Sequence, residues 1–349
     1  MNHTVGVGIV GYGYAGRKFH AYLLGLADGL ELRAVSSRAP ERRAQAEADY
    51  GVKTYATVDE LVADDSVDLV VVATPHDSHA ALVCKSLEAG KHTVCDKVMA
   101  LTVEQADAMV RARDRSGKVL SVFHNRRWDG DYLTVKRLLA DGQIGPAYAI
   151  ESTVMSYGEP RSSWRTKLDV CGGQLYDWGA HLVDHALLIG GGLPEGVCCS
   201  AQYRKWDVEV DSHLKLMLTF ESGLVYLIEL SRLCAAPKPR WYVLGESGAF
   251  TKHGLDPQEG AMNAGHIETA EDPEANWGRL VVVGGDGEKT ETLLPTERGC
   301  WTAYYDNIAA HLLRGEPLAV PAEQARDVVR VINAAMESVR TGASVTVTS

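Results

Sequence analysis

Three side chains in this sequence have types and spacings that suit proton transfer to and from an oxygen atom. Asp177 and His181 stand four residues apart, so both lie on one face if residues 177–188 form a helix. The unperturbed pKa of a histidine, about 6.5, suits a general base near neutral pH. Lys97 follows a short apolar run, and an ammonium group at such a strand end can stabilise negative charge on a reacting oxygen. Together they predict acid–base chemistry at a hydroxyl or carbonyl group.

Each of these residues also has a structural interpretation. A single histidine on an amphipathic helix is more often a surface or core residue than a base, and a lysine after a strand is usually solvated. The same helix carries two more titratable residues, so Asp177, His181, Asp184 and His185 could instead ligate a metal. We predict no metal, because no cysteine and no ligand from a third strand accompanies them.

A glycine pattern near the start of the chain predicts a dinucleotide site. The apolar run Val5–Val10 leads into a G-x-G-x-x-G pattern, and the amphipathic segment Arg17–Leu26 follows as a predicted helix. In such a unit the first glycine permits the turn, the second lets a pyrophosphate approach the backbone, and the third lets helix and strand pack closely. The phosphates then lie at the helix N-terminus. The predicted cofactor-binding residues of this turn are Gly11, Gly13, Tyr14, Ala15 and Gly16.

The residues after the second apolar run, Leu30–Val35, indicate which nicotinamide cofactor binds. A dinucleotide site reads the adenosine ribose about 20 residues past the glycine turn. Here that position holds Ser36, Ser37 and Arg38, with two further arginines one helical turn on and no carboxylate. A carboxylate would repel a 2′-phosphate, whereas hydroxyl and guanidinium groups suit it. The sequence therefore predicts NADP(H) rather than NAD(H); the alternative is that these arginines only form a solvated helix start.

The region up to Phe123 alternates short apolar runs with helical patterns, which predicts a doubly wound parallel sheet. The predicted strands are Val5–Val10, Leu30–Val35, Leu69–Ala73, His92–Val94 and Val119–Phe123. The predicted helices between them are Ala39–Tyr50, Val58–Ala63, His79–Ala89 and Val103–Arg115. Ligands bind beyond the carboxyl ends of such strands. Further cofactor contacts are therefore predicted at two strand ends, from Thr74, Pro75, His76, His79, Asp96 and Lys97.

After residue 123 the pattern becomes that of a mostly antiparallel sheet, because few helices separate the strand-like runs. These runs are Pro146–Tyr157, Val197–Trp206, Ser212–Phe220, Leu224–Ser231, Arg240–Lys252 and Arg279–Leu294. The predicted helices are Gly130–Asp141, Cys300–Leu313 and Pro321–Thr341, and Met262–Gly278 is a predicted long loop. The predicted fold class is α/β, with a Rossmann domain over residues 1–123 and an α+β domain with a large, mostly antiparallel sheet over residues 124–349.

Composition excludes several other classes of protein. The chain has 349 residues, enough for two domains, and its net charge of −11 argues against nucleic acid as the main partner. Its seven cysteines show no C-x-x-C pair, which is typical of free thiols in a reducing compartment. No secretory signal and no membrane-spanning run is evident, so we expect a cytoplasmic protein without a membrane partner.

Four further segments resemble the Gfo/Idh/MocA oxidoreductases, and the resemblance covers nearly the whole chain. The segments are Val70–Ala81, Ala89–Lys97, Phe123–Asp129 and Gly172–Asp184. The residues after the second strand and the Arg126-Arg127-Trp128-Asp129 run are most similar to the NADP-dependent scyllo-inositol dehydrogenase-like branch. The resemblance implies a polyol or sugar substrate, a second domain that binds it, and a homodimer or homotetramer.

The resemblance also implies that Lys97, Asp177 and His181 are catalytic, since each matches a catalytic position of the family. One departure is that the family's Glu-Lys-Pro is replaced here by Asp96-Lys97-Val98. A cis peptide bond before a residue other than proline costs about 2.5–4 kcal/mol. We therefore expect the bond between Lys97 and Val98 to be trans, or the loop to be strained.

The substrate contacts and the exact reaction leave alternatives open. Aromatic and guanidinium groups suit a polyhydroxylated ring, so the predicted substrate-binding residues are Asn125, Arg126, Tyr157, Trp164 and Arg165. The main prediction is a dehydrogenase or reductase that acts on a CH–OH group. Redox-neutral glycoside cleavage with a retained nicotinamide cofactor would use the same residues. A cofactor-sensing regulatory protein would need the glycines but none of the acid–base groups.

Overall fold

The computed structural model of this chain describes residues 4–160 and 163–347. The chain forms two compact units, Met1–Asn125 with Trp301–Val329 and Arg126–Cys300 with Arg330–Ser349. The segment Trp301–Val329 thus belongs to the first unit, although it follows the strand-rich part of the sequence. The division into domains 1–123 and 124–349 stays a prediction.

The described residues contain strands and helices throughout both units. In chain order the strands are β1 Val5–Val10, β2 Leu30–Ser36, β3 Lys53–Tyr55, β4 Leu69–Val72, β5 His92–Cys95, β6 Leu120–Val122, β7 Ala147–Met155, β8 Gly196–Gln202, β9 His213–Thr219, β10 Val225–Ser231, β11 Trp241–Gly245, β12 Gly248–Lys252, β13 Gly278–Val283 and β14 Lys289–Leu294. The α-helices are α1 Tyr22–Leu24, α2 Pro40–Tyr50, α3 Val58–Val62, α4 His79–Glu88, α5 Val103–Ser116, α6 Gly130–Ala140, α7 Leu168–Cys171, α8 Ala180–Gly190, α9 Gln258–Asn263, α10 Thr302–Arg314 and α11 Ala322–Thr341. None of these helices is long and apolar enough to span a membrane.

The first unit is built on a six-stranded, fully parallel sheet in the order β3-β2-β1-β4-β5-β6. Its central strands are apolar along their whole length, and every residue of β1 and β4 is buried. Strands covered by helices on both faces have this continuous apolar pattern. The predicted doubly wound fold is confirmed, and the five predicted strands lie within one residue of the observed ones. The sixth strand, β3, was missed because its three residues are polar and stand at the sheet edge.

Local signals set where the helices of the first unit begin and end. Thr102 accepts a hydrogen bond from the Gln105 N–H over 3.3 Å, and Gln105 bonds back, which caps the start of α5. The same helix ends at Gly117, whose φ of +64° suits glycine. The four helices predicted between β2 and β6 are found within one residue at either end.

The second unit contains an eight-stranded sheet in the order β14-β13-β12-β11-β7-β10-β9-β8. Strands β8 to β10 form one antiparallel meander and β11 to β14 form another, and β7 joins the two. Strand β7 pairs in parallel with β10 and antiparallel with β11. The predicted mostly antiparallel sheet is confirmed. The predicted strands Arg240–Lys252 and Arg279–Leu294 are each a hairpin of two strands.

The predicted long loop Met262–Gly278 is wrong in part, because the segment contains helical turns. It includes the end of α9 and two short 3₁₀ turns, Ile267–Thr269 and Glu274–Asn276. Asp272, between the turns, accepts hydrogen bonds from Lys252 Nζ and Thr296 Oγ1, both over 2.6 Å. These long-range polar contacts order the segment without any apolar periodicity.

Candidate active site

The glycine turn after β1 has the shape that a dinucleotide pyrophosphate requires. Gly11 has a φ of +95°, and a Cβ at Gly16 would lie 2.0 Å from the Gly11 carbonyl oxygen, so only glycine fits at either position. A Cβ at Gly13 would meet no atom within 4 Å, which leaves open space beside the backbone. The turn therefore fits the phosphates of a dinucleotide.

The helix that follows this turn differs from the predicted segment Arg17–Leu26. It begins as a wide, π-helical stretch, Ala15–Ala21, and continues into the short α1. Tyr14 precedes it, half exposed, with its ring edge against Phe19 at 5.7 Å between centroids. The glycines of the turn, not the apolar periodicity further on, set where this helix begins.

The three arginines in the segment after β2, Arg38, Arg42 and Arg43, differ in what their side chains contact. Arg43 Nη1 donates to the Ser37 carbonyl over 2.7 Å and to the Arg38 carbonyl over 3.3 Å, so it holds the loop backbone. The side chains of Arg38 and Arg42 are exposed and have no hydrogen-bond or ion-pair partner among the described residues. Ser36 is buried. These two exposed guanidinium groups remain available to a phosphate.

The loop after β4 brings the predicted residues Thr74, Pro75, His76 and His79 together. Ser78 Oγ donates to Thr74 Oγ1 or to the Pro75 carbonyl, each 2.7 Å away. The buried rings of His76 and His79 lie 5.6 Å apart. Burial lowers the pKa of His79, although the negative charge of Asp96 opposes this shift.

The loop after β5 contains a correction to the sequence analysis. The peptide bond between Lys97 and Val98 is cis, so the expected trans bond is wrong. Val98 is fully buried, and its carbonyl oxygen lies 2.8 Å from His79 Nδ1. The expectation used only the local cost of a cis bond before a residue other than proline, which takes no account of such tertiary contacts.

Asp96 holds the other side of this loop. Its Oδ1 accepts a hydrogen bond from the Lys97 backbone N–H over 2.8 Å. Burial opposes ionisation of the carboxyl, but the neighbouring His20 ring and the charge of Lys97 outweigh it and hold the pKa of Asp96 below its usual range. Asp96 is therefore a carboxylate at neutral pH.

The second unit carries Asp177 and His181 on one helical stretch, as the spacing predicts. A wide helical segment, Leu175–Gly179, runs directly into α8. His181 is buried, and its ring lies edge-on to Trp178 at 6.3 Å between centroids. Asp177 Oδ2 lies 3.4 Å from Arg165 Nε, so the predicted substrate residue Arg165 contacts a predicted catalytic residue.

A cavity of about 540 Å³ in the second unit contains this ion pair in its wall. Its described lining residues are Glu159, Pro160, Ser163, Arg165, Cys171, Gly173, Gln174, Asp177, Val210 and Arg232. Sequence reasoning missed Glu159 and Arg232 as lining residues. No local sequence pattern around either residue predicts this position, because each reaches the cavity from a separate loop or strand end.

The other predicted substrate residues have different surroundings. Arg126 is buried, with Nη1 2.9 Å from Asp129 Oδ2 and Nη2 3.1 Å from Glu259 Oε2. Trp164 stacks under Arg165 at 4.4 Å, which places it next to the cavity wall. Tyr157 is 55% exposed. Asn125 is buried within the first unit. The roles of these residues stay predictions.

The residues that could have formed a metal site have other partners. Asp184 accepts two hydrogen bonds from Arg127, at 2.8 and 2.6 Å. His185 stacks on Tyr132 at 4.0 Å and donates from Nε2 to the Arg126 carbonyl over 2.9 Å. Burial lowers the pKa of His185 to about 3. Within residues 4–160 and 163–347, no three His, Cys, Asp or Glu side chains are grouped so as to hold a metal ion.

Comparison with known proteins agrees with this architecture. Residues 5–124 match the model of an oxidoreductase family with an NAD-binding Rossmann fold, and residues 132–251 match the GFO/IDH/MocA C-terminal domain. The chain is 33% identical to the scyllo-inositol 2-dehydrogenase (NADP(+)) IolW of Bacillus subtilis, over 96% of this chain and 94% of that protein.

Two further relatives are informative. The solved structure of yvaA from Bacillus subtilis superposes with a TM-score of 0.93 at 30% identity, over 100% of this chain and 99% of that one. The D-apiose dehydrogenase of Paraburkholderia graminis is 29% identical over 64% of this chain and 59% of its own length. With both domain models matched and a relative similar over almost its full length, this chain belongs to the Gfo/Idh/MocA family of oxidoreductases.

Proposed function

We propose that this oxidoreductase transfers a hydride between NADP(H) and a secondary alcohol or ketone of a cyclic polyol or sugar. The observation that carries the proposal is the cavity whose wall holds Asp177 in contact with Arg165. Its volume, about 540 Å³, is in the range of small-molecule sites. Relatives named for scyllo-inositol and D-apiose support a substrate rich in hydroxyl groups.

The chemistry of the cavity wall suits hydroxyl groups. A hydroxyl both donates and accepts hydrogen bonds, so it needs partners of both kinds. Arg165 and Arg232 can only donate, whereas the carboxylates of Glu159 and Asp177 accept. Such a wall would bind a ring with several hydroxyl groups in one orientation.

Each proposed catalytic residue has a distinct role. His181 would take the hydroxyl proton during oxidation and return it during reduction. Asp177, oriented by Arg165, would accept a hydrogen bond from a substrate hydroxyl. Lys97 would stabilise negative charge on the reacting oxygen. When bound, the nicotinamide ring supplies the hydride chemistry.

The preference for NADP(H) rests on the loop after β2. Arg38 and Arg42 are exposed there beside Ser36 and Ser37, and no carboxylate occupies the ribose-reading position. A guanidinium binds phosphate with charge-assisted hydrogen bonds, whereas NAD(H) offers no charge at that position. The NADP(+)-dependent relative supports the same preference.

The function is tested with purified protein, NADP+ or NAD+, and a panel of scyllo-inositol, other inositols, D-apiose, aldoses and glycosides. Formation of reduced nicotinamide is followed by absorbance. We expect turnover with at least one polyol or sugar, faster with NADP+. If no member of the panel gives reduced nicotinamide while cofactor binding is still measurable, the result would contradict a dehydrogenase. Cleavage of a glycoside in that case would indicate redox-neutral chemistry, and its absence would indicate a cofactor sensor.

We further propose a homodimer or homotetramer formed through the open face of the second sheet. Across four neighbouring strands, Met217, Leu227, Glu151 and Tyr242 are successive cross-strand partners and so share one face. Met217 and Tyr242 are each 38% exposed there. The double variant Met217→Glu with Tyr242→Glu should shift the mass measured by light scattering toward the monomer. An unchanged mass would contradict this interface.

A further inference from the structure

The loop that carries Lys97 is held from both sides by buried histidines. We propose that His20 and His79 are positioning residues, which fix the ammonium group of Lys97 by holding the residue before it and the residue after it. The inference rests on the role proposed above for Lys97. All the contacts that carry it lie within the first unit.

His20 acts on Asp96, the residue before Lys97. It lies in the helical stretch that follows the glycine turn and is completely buried. The Tyr305 hydroxyl lies 2.6 Å from its Nδ1, and Asp96 Oδ2 lies 3.7 Å from its Nε2. We assign the ring proton to Nε2, because a carboxylate can only accept whereas a hydroxyl can donate. The 3.7 Å between Nε2 and the carboxylate makes this an electrostatic contact rather than a hydrogen bond. Asp96 Oδ1 accepts from the Lys97 N–H over 2.8 Å, so the two contacts link His20 to the Lys97 backbone through Asp96.

His79 acts on Val98, the residue after Lys97. Its Nδ1 lies 2.8 Å from the Val98 carbonyl oxygen, and its Nε2 lies 2.9 Å from the Thr74 carbonyl oxygen. His79 is also completely buried, at the first residue of α4. A carbonyl oxygen can only accept, so the neutral ring donates to one of these two atoms and packs against the other. His79 therefore lies between the Lys97 loop and the neighbouring strand end, where further cofactor contacts are predicted.

Packing alone does not account for these two rings. An apolar side chain in a fully buried position avoids the free-energy cost of burying polar nitrogen atoms. The nitrogen atoms of both rings face the residues that flank Lys97 or the anchors Tyr305 and Thr74. His92 gives the contrast, because it stands at the start of β5 and accepts from the Val119 N–H over 3.1 Å, away from the end that carries Lys97.

Two adjacent tyrosines of α10 allow a matched test. Both are buried, but the Tyr305 hydroxyl contacts His20, whereas the Tyr304 hydroxyl donates to Ser121 Oγ over 2.9 Å. Each phenylalanine variant loses one buried hydroxyl group. We expect Tyr305→Phe to lower kcat by about 3- to 10-fold with KM within about twofold, because only the placement of Lys97 changes. Tyr304→Phe should keep kcat within about twofold. Equal effects of the two variants would overturn the proposal.

A double-mutant cycle tests whether His20 acts through Lys97. His20→Leu should lower kcat by about 10- to 100-fold in the wild-type background, and His20→Gln, which retains an N–H near the Nε2 position, should recover part of it. In the Lys97→Ala background, His20→Leu should cost less than about threefold, since the group that it positions is gone. Additive losses would overturn the positioning role. A Lys97→Ala variant with wild-type turnover would instead remove Lys97 from the proposed mechanism.

Hydrogen exchange gives a readout that needs no substrate. In the full-length protein without ligand, His20→Leu and His79→Leu should each speed exchange in the peptide that spans residues 96–100 by about 10-fold or more, while the strand β1 stays protected. The control His92→Leu should leave that peptide unchanged. Unchanged exchange in both variants would overturn the inference even if the dehydrogenase activity is found. A clear local effect would support it even if the tested polyols are not substrates.

Discussion

In the first unit the site residues stand in a glycine turn and at the ends of parallel strands, whereas in the second unit Asp177 and Arg165 line a cavity assembled from separate segments around residues 160, 174, 210 and 232. The turn and the strand ends are placed by backbone geometry. The cavity wall is placed by side chains, such as the Arg165–Asp177 pair. A site placed by backbone geometry can be located from the local sequence. A site placed by side-chain contacts depends on residues that are distant in the sequence.

The largest expected effect concerns the lysine of the first unit. Lys97→Ala should lower turnover by about 10²-fold or more while the dissociation constant of NADP+ stays within about threefold, because the ammonium group acts on the reacting oxygen. Turnover and cofactor binding are measured separately. The control is Lys91→Ala. Lys91 immediately precedes β5, the strand that Lys97 follows, and its Nζ donates to the backbone carbonyls of Asp64 and Val67. Turnover near wild type in the Lys97 variant would remove this residue from the mechanism.

The next effect tests whether the loop after β2 selects the cofactor. Arg38→Ala should weaken NADP+ binding by roughly 1.5–3 kcal/mol, or about 10- to 150-fold, and leave NAD+ binding little changed. Both dissociation constants are measured by titration. Arg33→Ala is the control, since Arg33 pairs with Glu31 on the same strand. An equal loss for both cofactors would contradict selection by this arginine.

A smaller effect is expected in the cavity of the second unit. Arg165→Ala should raise KM for the polyol by about 10-fold with a smaller change in kcat, because it removes a charged donor from the wall. Lys167→Ala is the control: Lys167 pairs with Glu209 over 2.6 Å and does not line the cavity. A KM equal to that of the wild type would show that substrate binds elsewhere.

The last prediction concerns pH and the helix that carries His181. The folded-state pKa of His185, about 3, lies below the unfolded value of about 6.5, so the unfolded state binds more protons between these values. The free energy of unfolding should therefore fall as pH decreases from about 6.5 to 3, by at most about 1.4 kcal/mol per pH unit. Urea unfolding across this window should show a flatter pH dependence in His185→Gln than in the exposed control His266→Gln. The same slope in both variants would contradict a buried neutral ring.

The comparison of the two units also explains which parts could be predicted from the sequence. The glycine turn, the parallel strands and the four-residue spacing of Asp177 and His181 are local patterns, and the structure contains each of them. The cis bond after Lys97 stands beside His79, and Asp272 within Met262–Gly278 accepts from Lys252 and Thr296. These contacts come from residues elsewhere in the fold. For the same reason, the sequence alone does not predict that Arg232 lines the cavity or that His20 contacts Asp96.

Strand β7 has a consequence for how the second unit folds. The meanders β8–β10 and β11–β14 pair only strands that are neighbours in sequence, and their longest connection is residues 253–277, between β12 and β13. The pairing of β7 with β10 and β11 joins residues that are dozens of positions apart, which makes loop closure slower and entropically more costly. Strand β7 is the first of the eight strands to be synthesised, but its two neighbours in the sheet, β10 and β11, follow much later. The two meanders therefore become one cooperative sheet only when β7 pairs with both of them.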